Sequence, residues 1–206
     1  MAAVRSLSVL VLSALSAFGC RPEVPNLDSP GTVIVAFGDS ITYGAGASAE
    51  ESYPAALAGR LGVEVINAGV PGETSRDGFL RLEEVLSLDP WLVIVEFGGN
   101  DLLQRRPLEE TEASLREIVE GLLDERVVPV LVEIHGPLNG DKMEGLFEEI
   151  SDAYDIPLIR DVLPEILRTP ALKSDPIHPN SRGYAVLAEE VGEVVEDLLA
   201  ARGRNL

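Results

Sequence analysis

The sequence places a serine where a buried strand would end. Residues 36–42 read AFGDSIT, and the apolar, β-branched run Val33–Phe37 stops at Gly38-Asp39-Ser40. A serine becomes a nucleophile only with a base beside it. The chain offers two histidines, His135 and His178. His178 lies in SDPIHPN, three residues after Asp175 and between Pro176 and Pro179, which restrict the backbone. On so stiff a turn the carboxylate can reach one imidazole nitrogen, leaving the other to take a proton from a serine. His135 follows a predicted strand in VEIHG, with Glu133 two residues earlier. Residues two apart on a strand share a face without pairing so closely. The spacing therefore favours His178 over His135 as a base, with Asp175 as its orienter; Ser40 is then either a turn or cap serine or the nucleophile such a pair would serve in acyl transfer.

Acyl transfer also needs donors for a developing oxyanion. The stretch NAGVPGET offers Gly69 and Gly72, each able to present a backbone N–H, and FGGND offers the side-chain amide of Asn100. Each fragment alone is ordinary, because glycine and asparagine are common in turns. Their joint position carries the argument. Short apolar runs predict strands at Val33–Phe37, Val63–Ile66, Leu92–Phe97, Val127–Val132 and Pro157–Ile159. Most are continuous rather than alternating in polarity, as strands covered on both faces should be. Between them lie helical patterns: Leu115, Ile118, Val119, Leu122 and Leu123 on one face, and Tyr184, Leu187, Val191, Val194 and Leu198 on another. Asn180 or Ser181 could cap the last helix, a further helix is expected from about Tyr53 to Leu61, and ITYGAG after the serine reads as loop. Alternating strands and helices imply a parallel sheet wrapped by helices, with ligands bound outside the carboxyl ends of the strands. Ser40, the glycine segment, Asn100 and His178 all fall on that rim.

These four segments, in this order, resemble the four sequence blocks of the SGNH (GDSL) hydrolases over about residues 32–200. VEFGGND and NAGVPGETSRDG look most similar to the branch of arylesterases, thioesterase I and lysophospholipases. The resemblance implies an α/β, flavodoxin-like three-layer α/β/α sandwich with a parallel five-stranded sheet. It implies Ser40 as nucleophile, His178 as base and Asp175 as orienter. It also implies an oxyanion hole from the Ser40 N–H, a glycine N–H and the Asn100 amide. Gly72, which precedes Glu73-Thr74, matches the block glycine of that branch better than Gly69. The G-x-S-x-G elbow of α/β-hydrolases is absent around Ser40. Asp39 and Asp101 are expected to hydrogen-bond local backbone.

Composition narrows the partners. The 206 residues suit one domain, 46% are apolar, and 35 acidic against 16 basic side chains give a net charge of −19. So acidic a chain is not expected to bind nucleic acid, whose phosphates it would repel. Two distant histidines and a single cysteine argue against a metal site, and no cofactor is expected. The expected activity is that of a serine hydrolase cleaving carboxylic ester or thioester bonds of small acyl or lysophospholipid-type substrates through an acyl-enzyme, with a carbohydrate O-deacetylase using the same three residues as the alternative. A phosphate-binding module is disfavoured by the missing Walker pattern and the negative charge. The stretch PLNGDKMEG is expected to form a loop flanking the pocket.

Residues 1–20 are laid out as a signal peptide: Arg5, an apolar run from Leu7 to Phe18, then Gly19-Cys20. SAFGC resembles a bacterial lipobox, with Ala17 and Phe18 departing from its usual residues. This implies an exported protein, periplasmic or held at the cell envelope as a lipoprotein tethered to a membrane through a lipidated Cys20; ordinary cleavage near Ala17 to Cys20, with a chance thiol, is the alternative. Residues 21–31, RPEVPNLDSPG, hold three prolines and read as a tether, leaving 32–202 as the hydrolase domain.

Overall fold

The computed structural model describes residues 24–134 and 140–203. The signal-like segment, Cys20 and His135 lie outside them. The strands are β1 (Val33–Gly38), β2 (Val65–Gly69), β3 (Pro90–Glu96), β4 (Val128–Val132) and β5 (Leu158–Ile159). They form one parallel sheet in the order β2-β1-β3-β4-β5. The helices are α1 (Ser40–Tyr43), α2 (Tyr53–Leu61), α3 (Ser75–Leu80), α4 (Leu82–Leu86), α5 (Gly99–Leu103), α6 (Leu108–Asp124), α7 (Gly140–Tyr154), α8 (Val162–Arg168) and α9 (Ser181–Arg202). This is the α/β architecture expected from alternating strands and helices.

The central strands are buried throughout, as β-branched runs covered on both faces should be: every residue of β3 and β4 is buried. Leu115, Ile118, Val119 and Leu122 of α6 are buried, as are Tyr184, Leu187, Val191, Val195 and Leu198 of α9. Val195 takes the inward place expected for Val194, which packs at the margin of the core. Burying each such side chain contributes roughly 1.5–3 kcal/mol.

Three expectations are corrected. The loop after Ser40 begins as a helical turn, α1, capped by Asp39 and stopped by Gly44 at φ 99°. Strand β2 starts two residues later than its apolar run suggests, because Val63 is exposed, and it extends through Asn67 and Gly69. From Gly140 onward, the stretch expected as a pocket-flanking loop belongs to α7.

The expected tether is also largely docked from Val24 to Gly31. Leu27 and Ser29 are buried. The Asn26 amide donates to the carbonyls of Leu123 and Val127 at 3.0 and 3.3 Å. Arg202 donates to the carbonyls of Ser29 and Gly31 at 3.0 and 2.8 Å and lies over the Trp91 ring. Residues 25–28 form a turn closed by the Ser29 N–H on the Asn26 carbonyl at 2.9 Å, and the carbonyls of Ser29 and Gly31 bond to α9 instead of to water, so the segment is a docked strap rather than a free linker.

Candidate active site

Strand β1 ends in the segment that carries the serine. Asp39 caps α1 by accepting the Ile41 N–H at 2.9 Å on Oδ1. Ser40 is therefore the first residue of a helical turn at the carboxyl edge of the sheet. Gly38 has no positive φ. A Cβ there would lie 2.2 Å from Thr42 Oγ1 and 2.5 Å from the Glu96 carbonyl oxygen. Gly38 is needed for close approach, not for backbone freedom.

The histidine arrives from the other end of the chain. Asn180 caps α9, accepting from the N–H groups of Arg182 and Gly183 at 3.0 and 3.2 Å, which fixes His178 two residues before the cap. The Ser174 N–H donates to the His178 carbonyl at 3.0 Å, and Lys173 pairs with Pro179 in an antiparallel bridge. Within this loop Asp175 Oδ1 accepts the N–H groups of Ile177 and His178, each at 2.9 Å. Its Oδ2 lies 2.8 Å from His178 Nδ1. Burial opposes ionisation of Asp175, but hydrogen bonds from His178, Ile177 and the His178 backbone outweigh it and hold the carboxyl below its usual value. His178 Nε2 lies 2.9 Å from Ser40 Oγ. Ser40, His178 and Asp175 are thus brought together in hydrogen-bonded sequence, with the imidazole placed to accept the serine proton.

The oxyanion candidates divide. The Gly69 N–H is spent on Asn67 Oδ1 at 2.9 Å, and a Cβ on Gly69 would strike the Tyr43 backbone nitrogen at 2.1 Å. Gly69 is a packing glycine. Gly72 sits in the left-handed region at φ 88° with open space around it. Among the described residues the N–H groups of Gly72 and Ser40 enter no hydrogen bond. The Asn100 amide nitrogen is already engaged, donating to Asp39 Oδ2 and to the Glu73 carbonyl, both at 2.8 Å. Asp39 thus bonds across the site as well as locally. Asp101 is long-range too: it accepts from the Ser75 N–H and hydroxyl and from Thr111, stapling α3 and α6 to α5.

Two residues not singled out from sequence support this rim. Arg81 pairs with Glu73 at 2.6 Å, donates to the carbonyls of Gly38 and Ala68 at 3.3 and 2.8 Å, and stacks over the Phe37 ring at 4.6 Å. One guanidinium therefore ties the ends of β1 and β2 to the residue after Gly72. Glu96 lies fully buried beneath Asp39, accepting the Thr42 hydroxyl and N–H at 2.7 and 3.1 Å on Oε2. Its signal was available: it is the single charged residue in the apolar strand PWLVIVE. Desolvation, with Asp39 nearby, holds Glu96 well above the usual carboxylate range. Desolvation likewise pushes Asp39 up to about 6, against lowering contributions from the Ile41 N–H and His178.

A serine, imidazole and carboxylate in sequence at the carboxyl edge of a parallel α/β sheet have the geometry that a nucleophilic-serine hydrolase requires. Residues 36–186 match the GDSL-like lipase/acylhydrolase family, and the chain belongs to that family. It is an acyl hydrolase of SGNH fold. It is 29% identical over 175 residues to the thioesterase 1/protease 1/lysophospholipase L1 of Escherichia coli (strain K12), covering 81% of this chain and 84% of that one. It is 25% identical over 202 residues to an arylesterase of Vibrio mimicus, covering 92% and 96%. Among solved structures it is similar to AlinE4, an SGNH-hydrolase family esterase, at 33% identity and a TM-score of 0.66, covering 82% and 97%.

Proposed function

We propose that the enzyme hydrolyses carboxylic ester or thioester bonds of small acyl or lysophospholipid-type substrates through an acyl-enzyme on Ser40. Ser40 Oγ attacks the carbonyl carbon while His178 Nε2 accepts its proton and Asp175 holds the ring by Nδ1. The oxyanion forms against the N–H groups of Ser40 and Gly72 and the Asn100 amide. The imidazolium then protonates the leaving alcohol or thiol, and water, activated by the same base, releases the acid. The observation that carries this reading is the 2.9 Å contact between Ser40 Oγ and His178 Nε2, backed by Asp175 at 2.8 Å.

Several rim segments expose a large apolar side chain: Tyr43 in α1, Val70 after β2, Leu103 in α5 and Ile177 beside His178. That supports an acyl-bearing substrate over an acetylated sugar, which calls for polar contacts. Hydrolysis of p-nitrophenyl esters from acetate to palmitate tests the reading, with wild type and Ser40→Ala side by side. Turnover lost in the mutant, with loss of fluorophosphonate labelling, supports it. No turnover by folded wild type at any chain length overturns it in favour of the sugar O-deacetylase.

The signal-like segment and the SAFGC sequence support export and lipidation at Cys20. Expression in a bacterial host should place the enzyme in the membrane fraction, and Cys20→Ala should release it. Equal solubility of the two forms refutes the tether.

A further inference from the structure

Beneath the nucleophile turn lies a second, wholly buried acid whose chemistry the acyl-transfer scheme does not use. Glu96 is the last residue of β3 and pairs in register with Gly38 of β1. It is 0% exposed. All of its described donors arrive at one oxygen: Oε2 takes the Thr42 hydroxyl at 2.7 Å, the Thr42 N–H at 3.1 Å and the Asp39 N–H at 3.4 Å. The other oxygen, Oε1, is buried and faces no donor among the described residues. An ionised carboxylate with one oxygen left bare in the interior would bear a heavy desolvation cost. The acid set against it is Asp39, whose own N–H reaches Glu96 Oε2 at 3.4 Å and whose charge opposes a second one on Glu96. Two carboxyl groups placed so close in the interior are held apart in charge, one of them keeping its proton.

The donor polarity of the surrounding chain fixes which one. Asp39 already accepts at both oxygens, from the Ile41 N–H at 2.9 Å and the Asn100 amide at 2.8 Å, the pattern of an ionised carboxylate. The Thr42 hydroxyl spends its hydrogen on Glu96, so the Tyr53 hydroxyl, 3.3 Å away, donates to Thr42. Donors then run one way, from Tyr53 to Thr42 to Glu96 to Asp39, with Asn100 entering from the opposite side. We propose that Glu96 is a positioning residue: a buried carboxylic acid that keeps its proton, donates from Oε1 to the Asp39 carboxylate, and accepts from Thr42 at Oε2. It thereby fixes the turn that carries Ser40 and, through Asp39, the Asn100 amide. The glycine before Asp39 fits the same arrangement, since a Cβ on Gly38 would lie 2.6 Å from Glu96 Oε2. The ionisable groups acting on this pair are Tyr53 from α2, Tyr184 from α9, Asp101 from α5 and His178 from the loop before α9. The inference rests on the proposed function for its kinetic consequence, but not for the protonation itself.

The first test is therefore spectroscopic. At pH 7, wild type should show an infrared C=O stretch of a protonated carboxyl group, sensitive to deuterium, that disappears in Glu96→Gln. Absence of that band, or its persistence in Glu96→Gln, overturns the proposal whatever the enzyme's activity. Kinetics come second. Gln reproduces the acid, its amide N–H₂ donating to Asp39 and its oxygen accepting from Thr42. Glu96→Gln should keep kcat and KM within about 3-fold and leave the acid limb of the pH–rate profile in place. Glu96→Ala should lower kcat by 10–100-fold with KM little changed, as expected when donors are mispositioned in the transition state. A damaged Glu96→Gln with a displaced acid limb would mean that a carboxylate is required and would overturn the proposal. So would a folded Glu96→Ala variant of normal kcat.

Discussion

Replacement of Asn100 by alanine asks how much catalysis comes from a donor that is occupied at rest. In subtilisin, removing one oxyanion-hole donor costs about 10²–10³ in kcat. Here the amide nitrogen already serves Asp39 Oδ2 and the Glu73 carbonyl, both at 2.8 Å. Serving the oxyanion means weakening one of these bonds. A neutral hydrogen bond is worth about 1 kcal/mol net and one to a charged partner about 1.5–3. The exchange leaves part of the full effect, so Asn100→Ala should lose about 10²-fold in kcat, roughly 2.7 kcal/mol of barrier, with KM nearly unchanged. A separate stability cost arises because Asp39 Oδ2 is buried and loses its donor, whereas the Glu73 carbonyl can recruit water. About 2 kcal/mol is expected, or 4–8 °C in Tm for a chain of this size. The assay is p-nitrophenyl ester turnover at 20 °C, well below both melting temperatures, beside a thermal melt. A folded variant within 3-fold of wild-type kcat would refute the oxyanion role. A lower Tm with intact kcat would show that Asn100 only braces Asp39 and Glu73.

Other perturbations probe the supports. Arg81→Met breaks an ion pair with Glu73 whose side chains are only 14% and 18% exposed, and removes two carbonyl contacts, so stability should fall by about 2–4 kcal/mol and kcat with it; an unchanged Tm would contradict the clamp. Gly69→Ala drives a Cβ to 2.1 Å from the Tyr43 backbone nitrogen and should shift α1, cutting fluorophosphonate labelling by at least 10-fold, whereas normal labelling would show that the turn yields. Asp39 tests a pH effect of unusual sign. Burial raises its carboxyl from 3.8 to about 6, so the folded state holds a proton that the unfolded chain releases. Its contribution is fully present below about pH 4 and is lost as pH rises through about 6, a swing of order 3 kcal/mol. Asp39→Asn, which still caps α1, should flatten that part of the Tm–pH curve; an unaltered slope would refute the assignment.

Sequence exposes the parts of this site that are local and hides those that are not. His178 and Asp175 are legible because three residues and two prolines set their geometry, and Ser40 because a β-branched run ends abruptly before it. Gly72 and Gly69 look alike in sequence, and only the bond from Gly69 to Asn67 and the closeness of Tyr43 separate them. Glu96 meets Thr42 and Asp39 across 54 and 57 residues, a pairing set by the β1–β3 register rather than by any local pattern. The role of Arg81 depends on three chain segments converging on one guanidinium. The bounds of β2 are hidden in the sequence because Val63 supplies apolar character at the surface, while Asn67 and Gly69, which lack it, complete the strand.

The strap from Val24 to Gly31 fixes the side of the domain from which the N-terminal segment departs. It is fastened to Leu123, Val127 and Arg202, at the end of the sheet where the strands begin. Ser40 stands where β1 finishes, six residues and about 20 Å further on. Between Cys20 and the first docked residue lie only four residue steps, at most about 14 Å of chain. A lipid on Cys20 would therefore moor the molecule by its back, with the catalytic rim turned outward into the aqueous phase. Substrate would reach Ser40 from solution, and a lipid in the anchoring leaflet would have to leave it to be cleaved.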